Sequence, residues 1–187
     1  MSIEFIQKKL YVESRLFSAI LARIKDVIRE KLLSVSDVYV YGLLIHDQNG
    51  AEYLEVFMAA NGQSDYERAR KKFDEGISVK WDWHYWADEN PRVPVFGGEY
   101  FDDDGSILVA WVEECVANGV NSEADQLERF WGLVSECGGM VQGEGYLSGH
   151  PIVIGNGVTE EWSGDATFLA NPNGQAKEWV DFLWGRE

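Results

Sequence analysis

Positive charge is scarce in one half of this chain. Residues 93 to 187 hold three bases, Arg129, Lys177 and Arg186, against 17 acids, whereas residues 1 to 92 balance 13 bases against 15 acids. A surface so poor in lysine and arginine repels nucleic acid and anionic membrane, so neither is an expected partner. Long apolar runs are also missing. The longest, Ile107 to Val112, falls far short of the ~20 residues that span a bilayer. The opening MSIEFIQKKL is interrupted by Glu4, Lys8 and Lys9, which a secretory signal would not tolerate. A soluble cytoplasmic protein is the expectation. Cysteine is limited to Cys115 and Cys137, which fits buried thiols in a reducing compartment better than a disulfide framework.

Catalytic and metal-binding spacings are absent too. The three histidines, His46, His84 and His150, lie far apart, and no HxxxH or CxxC occurs, so a metal site is not expected. FDDDGSI, residues 101 to 107, resembles half of a calcium loop. With Gly105 at the sixth position, Tyr100 falls at the first and Trp111 at the twelfth, and neither supplies a carboxylate. The aspartates read instead as the acidic start of a helix. GGMVQGEGYLSG lacks the GK[ST] of a phosphate loop, and no GxSxG elbow is present. Nothing here requires an enzyme or a cofactor.

What remains is an ordinary globular composition, 45% hydrophobic and 26% charged over 187 residues, which suits one domain spanning 1–187. A chain of this length buries roughly 70% of its unfolded surface without needing a metal or disulfide. Leu16, Ile20, Ile24, Val27 and Ile28 recur at helical steps, predicting helix over 3–33, either as one long rod or as two pieces bent near Tyr11. VYVYGLLIH and AEYLEVFMAA flank the turn HDQNG and predict an antiparallel hairpin. A short charged helix follows, capped by Ser64 or Asp65 and closed by Gly76. Pro91, Pro94 and Gly97-Gly98 then read as an irregular connection. Helices are expected over 106–118 and 122–137, the latter broken by Gly138-Gly139. A buried strand is expected at 151–155. The last helix is expected at 175–184, with Trp179, Phe182 and Leu183 facing inward. The fold class is therefore α+β: an antiparallel sheet built on the hairpin, covered by the long N-terminal helix and several C-terminal helices.

VKWDWHYWADENP, residues 79 to 91, concentrates aromatics around His84. On a strand Trp81, Trp83 and Tyr85 share one face and read as core, leaving Asp82, His84 and Trp86 towards solvent. This stretch, the hairpin strand VYVYGLLIHD, and the late PIVIG, LANPNG and EWVDFL together resemble a family of small bacterial proteins catalogued as a domain of unknown function. Trp81 and Trp83 match its tryptophan motif, and Asn171-Pro172 its dipeptide before a final helix. The resemblance implies no catalytic residues.

Two functions follow as expectations. The first is an acidic binding protein, similar in style to immunity proteins, that neutralises a basic toxin such as a nuclease by protein–protein contact. Its partner-binding residues would be Asp102, Asp103, Asp104, Glu113 and Glu114, with Trp86 as an aromatic anchor. The second is a small-ligand binder or enzyme with an aromatic pocket around Trp81, Trp83, Tyr85 and His84. The first helix leaves monomer and homodimer both open.

Overall fold

The computed structural model describes residues 9–32, 37–47, 53–73, 81, 86, 92–97, 100–101, 103–155 and 162–185. Its frame is a four-stranded sheet in the order β3-β2-β1-β4, with β1 Val38–Asp47, β2 Leu54–Gly62, β3 Val93–Phe96 and β4 Ile152–Gly155. The expected hairpin is β1 and β2, paired antiparallel. β3 adds antiparallel to β2, and β4 lies parallel to β1. The sheet is thus mostly antiparallel, and the fold is α+β.

Alternation along β1 divides the interior in two. Tyr41, Leu43 and Ile45 face one side together with Val56, Met58, Ile152 and Ile154. This face is covered by α1, Tyr11–Val27, by α3, Asp104–Ala117, and by α4, Glu123–Gly143. Leu16, Ile20 and Ile24 of α1 have no exposed surface, and each contributes roughly 1.5–3 kcal/mol by leaving water. The helical path continues past α1 as a π turn, Ile28–Leu32, which keeps Ile28 and Leu32 in the same core. The other side of the sheet presents Val40, Ala59 and Val153 to a smaller cluster of Trp81, Trp86, Ala176 and Trp179. Trp179 belongs to the last helix described, α6, Lys177–Leu183. Between β4 and α6 runs α5, Ser163–Ala170.

Several expectations are corrected. The first helix starts at Tyr11 among the described residues, and residues 1–8 lie outside them. The short charged helix α2, Gln63–Lys72, is not capped by its own Ser64 or Asp65; the Asp37 carboxylate accepts from the Ser64 amide at 3.0 Å. Gly76 lies outside the described residues. Pro94 does not mark an irregular connection but sits in β3, an edge strand, where a missing N–H is tolerated. Gly138-Gly139 does not break α4, which runs on to Gly143. A Cβ on Gly138 would lie 3.0 Å from the Ala170 Cβ, and one on Gly139 would lie 3.2 Å from the Leu169 carbonyl. The pair lets α5 pack close against α4. Finally, Phe182 does not face inward: it is 45% exposed, while Trp179 is buried as expected.

Candidate interaction surfaces

The acidic residues singled out from the sequence take different roles. Asp103 and Glu113 are exposed. Asp102 lies outside the described residues. Asp104 has no exposed surface. Its Oδ2 accepts from Arg23 Nη1 at 2.5 Å and from the Gly97 amide at 2.8 Å. Gly97 adopts φ +82°, and a Cβ there would meet the Leu54 carbonyl at 2.0 Å, so only glycine fits this seat. Arg23 also lies over the Phe101 ring at 3.8 Å, so Asp104 is spent on folding and is unavailable to a partner.

Glu114 is likewise committed. Leu10, which precedes α1, has no polar side chain to cap it, and Glu114 from α3 fills that place. Its carboxylate accepts from the Val12 amide at 2.9 and 3.0 Å and from the Glu13 amide at 3.1 Å, where negative charge also opposes the helix dipole. Beside it, fully buried Glu13 forms a bidentate pair with Arg129 of α4 through Nε and Nη2. That hydrogen bond raises the Arg129 pKa. Burial pushes the nearby Cys115 thiol up to about 11, and burial raises Cys137 further still. Both cysteines are free, buried thiols.

Trp86 is not at the solvent boundary. It is 7% exposed and packs over Gly42 of β1, where a Cβ would stand 2.9 Å from its Cη2. The sheet has a missing side chain there, and the indole fills it. Trp81 is buried in the same cluster. Trp83, Tyr85 and His84 lie outside the described residues, as does Asp82.

Bases of α1 and of the residues before it reach across to the acidic half. Lys9 pairs with Glu136 at 2.6 Å, Lys25 with Glu144 at 2.6 Å and Arg23 with Asp104. The first two pairs are partly solvated and add little stability individually. They do neutralise charge, leaving Glu113, Glu123 and Asp125 exposed on either side of the turn that joins α3 to α4. Of the two described bases in the acidic half, Arg129 is bound to Glu13 and Lys177 to Asp181.

Sequence reasoning missed a second surface. A cleft of about 210 Å³ opens between α5 and α6, lined by Phe168, Ala176, Val180 and Trp184 with Lys177 and Asp181 at its edge. Phe168 is 54% exposed and its ring centroid lies 5.4 Å from that of Trp184. Trp184 Nε1 donates to Asp165 at 3.0 Å, which fixes the indole wall. Asn171 also borders the cleft, but its amide is turned into the protein. Oδ1 accepts from the Ile152 amide at 3.0 Å, and Nδ2 donates to the Ile152 carbonyl at 2.6 Å and the Thr167 carbonyl at 2.7 Å. The floor is therefore apolar. The available signal was the aromatic spacing of Phe168, Trp179, Phe182 and Trp184, which reads as core unless α5 is recognised as a helix.

Among the described residues no three His, Cys, Asp or Glu side chains gather as a metal would require, and no helix is long and apolar enough to cross a membrane. Comparison of the chain with protein-family profiles, with curated proteins and with solved structures finds no match in any of the three.

Proposed function

We propose that this protein is an acidic binding module whose partner is a basic protein, and that it acts as immunity-type proteins do, by occupying a cationic site such as the phosphate-binding cleft of a toxic nuclease. The observation that supports this most is the charge left over after internal pairing. The chain carries a formal charge of -16, α1 and its flank cancel only part of the acidic half, and Glu113, Glu123 and Asp125 remain exposed around one turn. Asp103 is exposed at the opposite end of α3. Asp104, Glu114 and Trp86 drop out of the proposed interface because the fold uses them. Membership of the bacterial domain family that the tryptophan stretch and Asn171-Pro172 resemble is part of the same proposal, as is a cytoplasmic location.

Electrostatic encounter of this kind depends steeply on ionic strength. The test is to capture partners from the native host on immobilised protein, at low and at high salt, with wild type and with the Glu113→Lys, Glu123→Lys, Asp125→Lys triple variant. A protein of basic composition should be retained by the wild type at low salt, with an association rate that falls as salt rises. The triple variant should bind it at least about tenfold more weakly, a loss of ~1.4 kcal/mol. Equal binding by wild type and triple variant would remove the proposed surface. Recovery of only neutral or acidic partners would remove the proposed function.

A further inference from the structure

We infer that the outward face of α3, where Val109, Val112 and Val116 stand beside Glu113, docks a basic amphipathic helix of the partner protein. This rests on the proposal that the partner is basic, and it adds the apolar contact that would hold the partner once charge has brought it near.

The face is unusual for a helix open to water. α1 turns Ser14, Arg15, Ser18 and Asp26 outward. α3 turns out Val109, 42% exposed, and Val116, 49% exposed, with half-buried Val112 between them. Steps of three and four residues place the three on one stripe. Valine loses rotamer freedom in a helix, and at exposed positions it recovers little by packing. Neither helix propensity nor the core accounts for the stripe, whereas contact with a partner does.

Charge decides the occupant. Glu113 lies four residues after Val109 and three before Val116, so it shares their exposed side. From Asp103 to Glu128 the chain has seven acids and no lysine, arginine or histidine. Asp104 and Glu114 are engaged within the fold. Among the described residues, Asp103, Glu113, Glu123, Asp125 and Glu128 form no ion pair. At about 100° per residue, Glu114 lies roughly 140–160° round α3 from each of the three valines. Glu114 reaches α1, so the bases of α1 stand behind α3 rather than beside the stripe. A second copy of this chain would bring Glu113 against the same acids, and an anionic membrane is repelled. A segment bearing lysine or arginine meets a complementary field.

The form of the occupant follows from the backbone. α3 keeps its peptide hydrogen bonds within the helix, so it offers no edge to an added strand and contact must be made by side chains. From Val109 to Val116 the stripe runs about 10 Å, a length that two turns of a partner helix cover. Apolar groups at three- and four-residue steps on that helix seat along the valines, and a base beside them reaches Glu113.

The test uses the full chain, labelled with ¹⁵N and with ¹³C at the valine methyl groups. Three peptides serve as probes: Ac-AKKLAKKLAKKLAKK-NH2, its counterpart Ac-AKKAAKKAAKKAAKK-NH2, and the acidic Ac-AEELAEELAEELAEE-NH2. The leucine-bearing basic peptide should shift the methyl groups of Val109, Val112 and Val116, with an affinity at least about tenfold above that of the alanine peptide. The Val109→Gln, Val116→Gln double variant, at exposed positions, should erase that difference. Equal affinity of the two basic peptides for the wild type overturns the apolar dock. Equal binding of the acidic peptide overturns the basic occupant. Methyl shifts that move with protein concentration alone assign the face to self-association and overturn the inference as well. Shifts at the Glu113, Glu123 and Asp125 amides with the valine methyls silent refute the dock while leaving the acidic binding reading intact, whereas silence at both with every probe counts against both.

Discussion

At the scale of single residues, the interior of this protein holds charges that partner one another across long sequence distances. Glu13 is wholly buried, whereas the side chain of Arg129 retains 23% exposure. The two removals should therefore cost different amounts. Arg129→Met strands a carboxylate out of reach of water and is expected to destabilise by roughly 3–5 kcal/mol. Glu13→Gln leaves a guanidinium that still touches solvent and keeps an acceptor for the Leu10 amide, so the loss should be smaller, roughly 2–3 kcal/mol. Urea denaturation of both variants measures the difference, and a larger loss for Glu13→Gln would contradict the asymmetry. His46 supplies a second test. Its imidazole is held below the ordinary value of 6.5, first by burial, with Arg92 adding to the effect and Glu55 and Asp47 opposing it. The unfolded chain then takes up the proton before the folded one as pH falls. The neutral side chain's contribution is complete above about pH 6.5 and is lost as pH drops towards the depressed folded value. Melting temperature between pH 8 and pH 5 should fall more in the wild type than in His46→Gln. Parallel profiles would show that His46 is not a source of the acid sensitivity.

At the scale of elements, side chains of α5 and of Asn171, which follows it, take the place of a neighbouring strand. The Tyr41 amide bonds to the Pro151 carbonyl, so alternation turns the backbone groups of Ile152 and Ile154 away from β1. The Asn171 amide satisfies Ile152 in both directions, and the Thr167 hydroxyl accepts from the Ile154 amide at 3.0 Å. Asn171→Ala should leave a buried N–H and a buried carbonyl unpaired, costing roughly 2–5 kcal/mol, and should speed hydrogen exchange at Ile152. Unchanged protection there would mean that another group closes this edge. These elements also mark where the sequence is readable. The first helix, the hairpin and the helices around Trp111 and Phe130 declare themselves because each has one buried face, which imposes a period on its residues. α5 does not: Ser163, Gly164, Ala166, Thr167 and Ala170 are all buried, so small residues on several faces erase the period. β3 was hidden by Pro94, since a proline inside a strand signals a loop unless the strand is known to be an edge. The glycines of α4 suggested a stop because propensity is local, whereas the packing of Ala170 against Gly138 is not. The site was legible only in part for the same reason. Acidity could be counted along the chain, but the burial of Asp104 depends on Arg23 and that of Trp86 on Gly42, partners remote in sequence.

For the whole molecule, the balance between internal pairing and self-repulsion is open to direct measurement. A formal charge of -16 opposes compaction, while the pairs made by Lys9, Arg23, Lys25 and Arg129 favour it. Raising salt from about 0.01 M to about 0.15 M shortens the screening distance from about 30 Å to about 8 Å. Long-range repulsion then fades while the buried pairs are barely affected, so the melting temperature should rise. A fall would show that partly solvated pairs dominate. The boundaries of the sheet have a slower consequence. β4 is sealed by an amide and a hydroxyl, and β3 carries a proline, so neither flank offers a full ladder to an incoming strand from another molecule. Polymerisation through this sheet would have to await the peeling of α5. Its lag time under heat would then follow the detachment of the C-terminal helices rather than global melting.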